Sequence, residues 1–514
     1  MAKPIRLIAS FFTVGLWTLL SRVMGFARDI MIAAFFGAGA TAEAFQVAFA
    51  LPNMFRRFFA EGAFNMAFVP MFSKKLEGNE QPEKFAQDAF SGLASVLIVL
   101  TLIAQLVMPW LVWAMASGFV GDGRFELAVD YARICFPYIL FISLAALLSG
   151  VLNATGRFAA AAAAPVLLNI IIVVAMGVAY LLDADISQAL VWSIPVAGIA
   201  QMALLWHAAA KAGFRLIPRL PKMTPDLKRL LIIAGPAVLA GGVVQVNLLV
   251  GRQVASYYDG AIAWLYNADR LYQLPLGIVG IAIGIVLLPD LSRKLRADDV
   301  NGSQNAFNRA AEFALALTLP SAVALSVAAH PLVSVLFERG AFTAADTGPT
   351  SLALLVYALG LPAFVMQKVL QPLYFAREDT KTPFYYALVS MVLNVVIAIG
   401  LSYFIGYLAA ALGVTMSAWG MVALLWLGTN KMGEAAVLDT RFFRTLPRIV
   451  ASAAIMGGGV WLGQVILGEW LYTDGLRYPA LAALVIFGVG LYGGALLLTK
   501  AYSLGELKGM LKRG

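Results

Sequence analysis

The sequence holds a single cysteine, Cys135, so an intrachain disulfide is excluded. It holds two histidines, His207 and His330. Neither has a second histidine at ligand spacing, so no metal site is expected. Charged residues are scarce, at 13% of 514, where a soluble domain carries about 25%. That scarcity excludes an ordinary soluble globule. Walker A, HExxH and nucleophile-elbow sequences are absent, so neither a nucleotide-driven pump nor a hydrolase of those types is expected. With no cofactor and no catalytic group in view, any work must draw on an ion gradient, the membrane potential or the substrate's own gradient. Long loops are lacking on one side, which leaves no room there for a soluble domain.

What is present is hydrophobic sequence, 61% of the chain. Fourteen apolar segments are long enough to span a bilayer: 8–36, 43–72, 88–115, 126–153, 159–182, 186–210, 230–257, 262–291, 308–337, 349–375, 383–404, 407–430, 445–467 and 478–500. The first continues past signal-peptide length with no small-residue cleavage site, so it is read as a retained span. The chain is expected to be an all-α polytopic membrane protein. Its net charge of +9 would suggest nucleic acid in a soluble chain; here it belongs to loops and orientation, and no nucleic-acid partner is expected. With the N-terminus inside, the outer loops carry only Arg124, Arg339 and Arg477. The inner loops hold the rest, including Lys211, Arg215, Arg219, Lys222, Lys228 and Arg229 in one stretch. The positive-inside rule then puts both termini in the cytoplasm. The C-terminal residues Leu504, Leu507, Met510 and Leu511 beside Lys508, Lys512 and Arg513 suit a short interfacial helix.

An internal repeat organises these spans. PVLLNIIIVVAMG at 165–177 matches LVSMVLNVVIAIG at 388–400, aligning Asn169 with Asn394 and Pro137 with Pro362. PMFSKKL at 70–76 matches PDLSRKL at 289–295. Both copies hold six spans and begin on the same side, so the repeat is parallel. Two six-helix lobes related by a pseudo-two-fold along the membrane normal follow, with two further C-terminal helices. The expected divisions are 1–212, 213–433 and 434–514. A substrate is expected between the lobes.

The charges inside spans stand out. Arg22, Arg28, Arg56, Arg57, Arg133, Arg252, Arg270 and Lys368 lie within apolar segments, as do Asp29 and Asp269. A charge in hydrocarbon costs several kcal/mol or more, so such residues face a bundle interior or a wet cavity. Arginine's planar fork suits phosphate. Arg28, Arg56 and Arg270 come from three spans and both lobes at similar depth, and are expected to bind an anionic, phosphate-bearing substrate. Internal pairing of Arg28 with Asp29, or Arg270 with Asp269, is expected to be poor, because adjacent helix residues point about 100° apart. Arg22 and Arg57 are weaker candidates. Arg133 and Arg252 lie near outer ends and are expected to snorkel. Lys368 sits mid-span and could line the cavity. Gln245, Asn247 and Asn394 are read as helix-to-helix hydrogen-bonding groups ahead of a cation site.

Four stretches carry a family resemblance: SRVMGFARDIMIAAFFGAG, LPNMFRRFFAEGAFNMAFVP, YNADRLYQLPLGIVGIAIG and FAREDTKTP. They resemble the MurJ (MviN) lipid II flippases of the multidrug/oligosaccharidyl-lipid/polysaccharide exporter superfamily. The resemblance covers the whole chain. It implies fourteen helices, two lobes about a central cavity, and movement of undecaprenyl-pyrophosphate-linked peptidoglycan precursor from the inner to the outer leaflet of the cytoplasmic membrane. Arg22, Arg28, Asp29, Arg56 and Arg270 match the family's functional motif. The last two spans would form a groove for the lipid tail. Implied partners are lipid II, through its pyrophosphate, sugar and polyprenyl tail, together with bacterial membrane lipids and other cell-wall synthesis proteins. One departure concerns sodium. Some members bind it through an acid in span seven, and span seven here has none beyond its cytoplasmic start. The rival readings are a flippase for another lipid-linked oligosaccharide, a cation-coupled drug exporter of the same superfamily, and a membrane glycosyltransferase. The drug exporter wants an acidic cavity and the glycosyltransferase a sizeable outer loop.

Overall fold

The computed structural model describes residues 7–57, 63–503 and 505. Among them the regular structure is helical, with turns and short loops between the helices, no strand, and one isolated β-bridge between Arg339 and Phe342. The C-terminal segment proposed as an interfacial helix lies outside the described residues, as does the side chain of Asn247. Two compact units divide the chain, Met1–Gly260 and Ala261–Gly514.

The first unit contains α1 (Leu7–Phe36), α2 (Ala40–Arg56), α3 (Ala63–Glu77), α4 (Pro82–Leu106), α5 (Met108–Met115), α6 (Arg124–Cys135), α7 (Tyr138–Ala154), α8 (Ala159–Leu181), α9 (Ile186–Lys211) and α10 (Pro225–Ala255). The second contains α11 (Ala261–Arg296), α12 (Val300–Val327), α13 (Ala329–Phe337), α14 (Ala344–Phe375), α15 (Lys381–Ile405), α16 (Leu408–Thr429), α17 (Thr440–Leu467) and α18 (Arg477–Leu498). The described residues of each of the fourteen apolar segments are mainly helical. Ten stretches, from α4 to α18, meet the length and composition of a membrane span. α10 is the seventh span in sequence, yet it packs on α3, α4 and α5. The packing boundary at Gly260 and the expected repeat boundary at 212 thus lie on opposite sides of α10.

Outward faces are apolar. Leu102, Leu106, Val174, Val196, Val396, Trp461, Ile486 and Val489 are all at least half exposed, as expected where hydrocarbon is the solvent. Aromatic residues gather at the helix ends opposite the basic loops. Trp110, Trp113, Tyr180, Tyr403, Trp470 and Tyr472 are exposed there, the pattern of an interfacial belt.

Proline shapes the spans, and neighbouring side chains repair what it breaks. A proline inside a helix has no N–H, so the carbonyl four residues earlier loses its partner. In hydrocarbon that carbonyl must be satisfied by protein. α6 stops before Pro137, and Arg133 O accepts from Gln105 Nε2 at 2.8 Å instead. α13 begins two residues before Pro331, and Val327 O accepts from Gln464 Nε2 of α17 at 3.2 Å. Pro320 lies within α12, and Ala316 O accepts from Tyr492 Oη of α18 at 2.6 Å. Pro195 lies within α9, and Val191 O accepts from Cys135 Sγ at 3.9 Å. The one cysteine is thus fully buried against an orphaned carbonyl.

A charged cluster ties the first unit at the end opposite the basic loops. Arg124 Nη1 donates to Glu43 Oε2 at 2.8 Å, and Nη2 pairs with Asp122 at 2.5 Å and Asp259 at 2.8 Å. The guanidinium lies 4.5 Å from the Phe119 ring. Hydrogen bonds from Arg124 hold the Asp122 carboxyl below its ordinary pKa, so that pairing weakens only as pH falls below the usual carboxylate range. Beside it, Gly118 N donates to Ser256 Oγ at 3.0 Å. A Cβ at Gly118 would come 2.5 Å from the Ser256 backbone, so only glycine fits.

The proline repair makes a testable prediction. Tyr492→Phe should destabilise the protein by about 1–3 kcal/mol, since it leaves a buried carbonyl unsatisfied. In a Pro320→Ala background residue 320 supplies its own N–H, and Tyr492→Phe should then cost markedly less. Thermal unfolding of the four proteins in detergent measures the coupling. Equal costs in both backgrounds would refute the repair.

Candidate functional site

Arg28 is the most buried of the span arginines. Its α1 packs against α8, and the contact closes around Gly25, where an added Cβ would meet Asn169 Nδ2 at 3.4 Å. Arg28 Nε and Nη2 donate to Asp29 Oδ1 at 3.0 and 2.7 Å. Its Nη1 donates to Asn169 Oδ1 at 2.9 Å. Asn169 Nδ2 in turn donates to Ser21 O at 3.0 Å. The expectation that Arg28 and Asp29 would pair poorly is corrected. The Cα–Cβ vectors diverge, but four torsions let the arginine swing back, and in a low-dielectric interior a charge-assisted bond outweighs the rotamer cost. Asp29 is 2% exposed and Arg28 7%, so the pair is a seated cation whose plane is fixed from two helices.

Arg56 is half-buried in the last turn of α2 and donates from Nε to Asn53 Oδ1 at 3.3 Å. Asn53 Nδ2 is itself anchored on Phe49 O at 2.9 Å. Arg57 is exposed at the end of α2. Arg22 is also exposed, on a face with Leu19 and Val23. Six residues separate Arg22 from Arg28, about 120° around the helix, and the one is uncovered where the other is buried.

Arg270 and Asp269 belong to the second unit, on α11. Arg270 Nη2 donates to Tyr266 Oη at 2.8 Å, and its guanidinium lies 4.5 Å from the Tyr266 ring. Asp269 accepts from Gln273 Nε2, one turn on. Tyr272 stacks on Tyr357 of α14, ring centroids 5.2 Å apart. Lys368 is exposed on α14. Arg133 is exposed, 4.0 Å from Asp130. Arg252 is half-buried near the end of α10.

Asn169 and Glu43 are the residues that sequence reasoning missed here. Asn169 entered only as an alignment marker for Asn394. Asn394 is buried too, but in α15 it lies against Gly413 of α16, where a Cβ would come 2.5 Å from its Oδ1. The FAREDTKTP stretch forms the turn between α14 and α15. Asp379 Oδ1 accepts from Thr382 N at 2.9 Å, and that bond lowers the Asp379 pKa. Arg377 closes the turn by donating to Leu373 O and Met432 O.

Apolar helices with arginines held on their inner faces define a polytopic membrane protein of the transporter class. The fold is similar to an inward-facing multidrug resistance MATE family transporter of the MOP superfamily, with TM-score 0.70 at 14% identity over 81% of this chain and 95% of that one. A structure titled lipid II flippase MurJ, inward closed conformation, is more similar, with TM-score 0.79 at 25% identity over 94% of this chain and 98% of that one. In sequence the chain is 40% identical to the probable lipid II flippase MurJ of Rhizobium tropici, over 99% of this chain and 97% of that protein. It is 35% identical to the lipid II flippase MurJ of Burkholderia cenocepacia, over 95% and 97%. The family profile described as lipid II flippase MurJ matches residues 32–479. The chain belongs to the lipid II flippase MurJ family.

The clamp on Arg28 has a measurable hierarchy. Asp29→Ala removes the acid from a buried pair and should cost about 3–5 kcal/mol of stability. Asn169→Ala removes a neutral partner of a charged donor and should cost about 1.5–3 kcal/mol. Thermal unfolding in detergent ranks them, and a larger loss for Asn169→Ala would mean that the Asp29 pair is not the anchor.

Proposed function

We propose that this protein flips lipid II, carrying the undecaprenyl-pyrophosphate-linked peptidoglycan precursor from the inner to the outer leaflet of the cytoplasmic membrane by alternating access. Family membership supports the substrate class. The observation that carries the mechanism is Arg28, a guanidinium buried among apolar helices and oriented by Asp29 and Asn169. Such a group is pre-set for a dianionic headgroup, so little ordering is left to do when substrate arrives. Arg56 and Arg270 supply further forks, each steadied by a neighbour on its own helix, Asn53 and Tyr266. Together they offset the desolvation of a pyrophosphate, at about 1.5–3 kcal/mol per charged bond. The polyprenyl tail stays in lipid, so only the headgroup crosses. No bond is made or broken, and the protein acts as a transporter.

The duplicated halves 1–212 and 213–433 supply the two rocking bodies in this reading, and 434–514 adds the last two helices. Both termini lie in the cytoplasm. Other cell-wall synthesis proteins would meet the chain there or along its lipid-facing surface. A drug exporter is the weaker reading, because a cationic drug wants an acidic cavity and the charges inside the spans here are mainly arginines.

Arg56→Ala and Arg270→Ala should each abolish complementation of a depleted strain while membrane levels stay normal, and Arg28→Ala, which leaves the buried Asp29 unpaired, should abolish it with lowered membrane levels. Arg28→Lys should be impaired, since it loses the bidentate fork. Arg252→Ala should be near normal. The direct readout is the leaflet accessibility of lipid II in depleted cells carrying each variant. Normal complementation by all three alanine variants would reject the anion site.

Orientation is tested separately. The native cysteine is buried, so background labelling should be low. Lys222→Cys and Arg444→Cys should be shielded from an impermeant thiol reagent in intact cells, and Gly121→Cys and Thr473→Cys should label. The opposite pattern would reverse the direction of transport.

A further inference from the structure

A cavity of about 440 Å³ opens in the first unit, at the ends of α7, α8 and α9. Its lining includes Thr13 of α1, Leu152, Arg157, Phe158, Ala208 and Lys211. The local sequence explains why a space remains there. α7 ends at Ala154, and Gly156 takes φ +75° to turn the chain into α8. The turn lifts Arg157 and Phe158 away from the packed helices. α9 ends at Lys211, which places a cation at the last turn of that helix. Small residues, Ala159, Ala160 and Ala208, leave the gap unfilled.

The chemistry of the lining is divided. Arg157 and Lys211 are exposed cations, and among the described residues no acid lines the cavity. Leu152 is buried, and Phe158 and Ala208 are half-buried apolar wall. The cavity opens on the side of the basic loops, where the span helices end and an interfacial layer begins. A cationic rim over an apolar wall at that depth fits one ligand class. It is a phosphate headgroup whose acyl stem runs into hydrocarbon, and basic pockets between membrane helices take such headgroups. This place is not the Arg28 site. Thr13 precedes Arg28 by fifteen residues of one continuous helix, or about 22 Å at a rise of 1.5 Å per residue.

We propose that this cavity binds the headgroup of an anionic phospholipid from the leaflet beside the basic loops. The phosphate sits on Arg157 and Lys211, and the acyl stem lies along Leu152, Phe158 and Ala208. A lipid so seated bridges the turn before α8 and the end of α9, and touches the early part of α1. It therefore braces the helix that carries Arg28 without entering the arginine site. The proposal rests on this cavity alone, and its failure would leave the flippase reading standing.

The test uses the full chain purified in neutral detergent and titrated with phosphatidylglycerol, phosphatidylcholine or inorganic phosphate. Bound lipid is counted by native mass spectrometry and thermal unfolding is followed in parallel. Phosphatidylglycerol should bind and raise the unfolding temperature, and phosphatidylcholine should do so much less. Arg157→Ala with Lys211→Ala should weaken phosphatidylglycerol binding about tenfold or more. Arg157→Lys with Lys211→Arg should keep it, which covers the case where the alanine protein folds poorly. Lys222→Ala with Lys228→Ala, basic residues outside the cavity, should also keep it. Equal loss in that control would overturn the proposal in favour of general surface charge. Equal protection by inorganic phosphate would overturn it in favour of a free-anion site. Binding of a polyprenyl pyrophosphate with no binding of phosphatidylglycerol would overturn it in favour of a station for the transported lipid.

Discussion

A carbonyl without a donor cannot be left in hydrocarbon, and much of this fold can be read from that constraint. Prolines are frequent in the spans, and each deletes one backbone donor. Four of the resulting carbonyls are met by side chains of other helices: Gln105, Cys135, Gln464 and Tyr492. Each repair doubles as a tertiary contact. Gln464 and Tyr492 fasten α17 and α18 onto α12, which places the last two spans by hydrogen bonds as well as by apolar packing. Helix breaks are thereby turned into helix contacts.

The same economy governs the buried charges. An isolated guanidinium in a dry interior costs several kcal/mol, so every deeply placed arginine here has been given company. Arg124 has three acids and an aromatic ring. Arg28 is held by an acid of its own helix and by an amide of α8. Three carboxylates around one guanidinium leave Arg124 to serve structure.

Much of this was legible in the sequence. Apolar run length marks out the helices of a polytopic membrane protein, because in a bilayer the length of a helix is set by the solvent. Segments three, four and nine are each two helices. Pro109, Pro137 and Pro331 mark those breaks, but Pro165 and Pro362 lie inside unbroken helices, so proline alone does not say which way a span will go. At the site, the arginines announced themselves by charge. Their partners did not. Asn169 lies 141 residues from Arg28 in the chain, and a neutral amide in an apolar helix has no local signature. Glu43 stands in the first turn of α2, where an acid also suits the helix dipole, so nothing local marks it as a partner of Arg124. The pairing of Arg28 with Asp29 was misjudged because side-chain direction was taken from the backbone alone.

The grip of Asn169 on α1 sets a scale for motion. One side chain holds both the Ser21 carbonyl and the Arg28 guanidinium, so α1 cannot turn or slide against α8 without releasing both together. The neutral bond contributes about 0.5–1.5 kcal/mol net and the charged one about 1.5–3 kcal/mol. Together these two bonds oppose any such displacement by about 2–4.5 kcal/mol, before the packing of α1 on α8 is counted. Movement of α1 and release of the Arg28 guanidinium are therefore a single event.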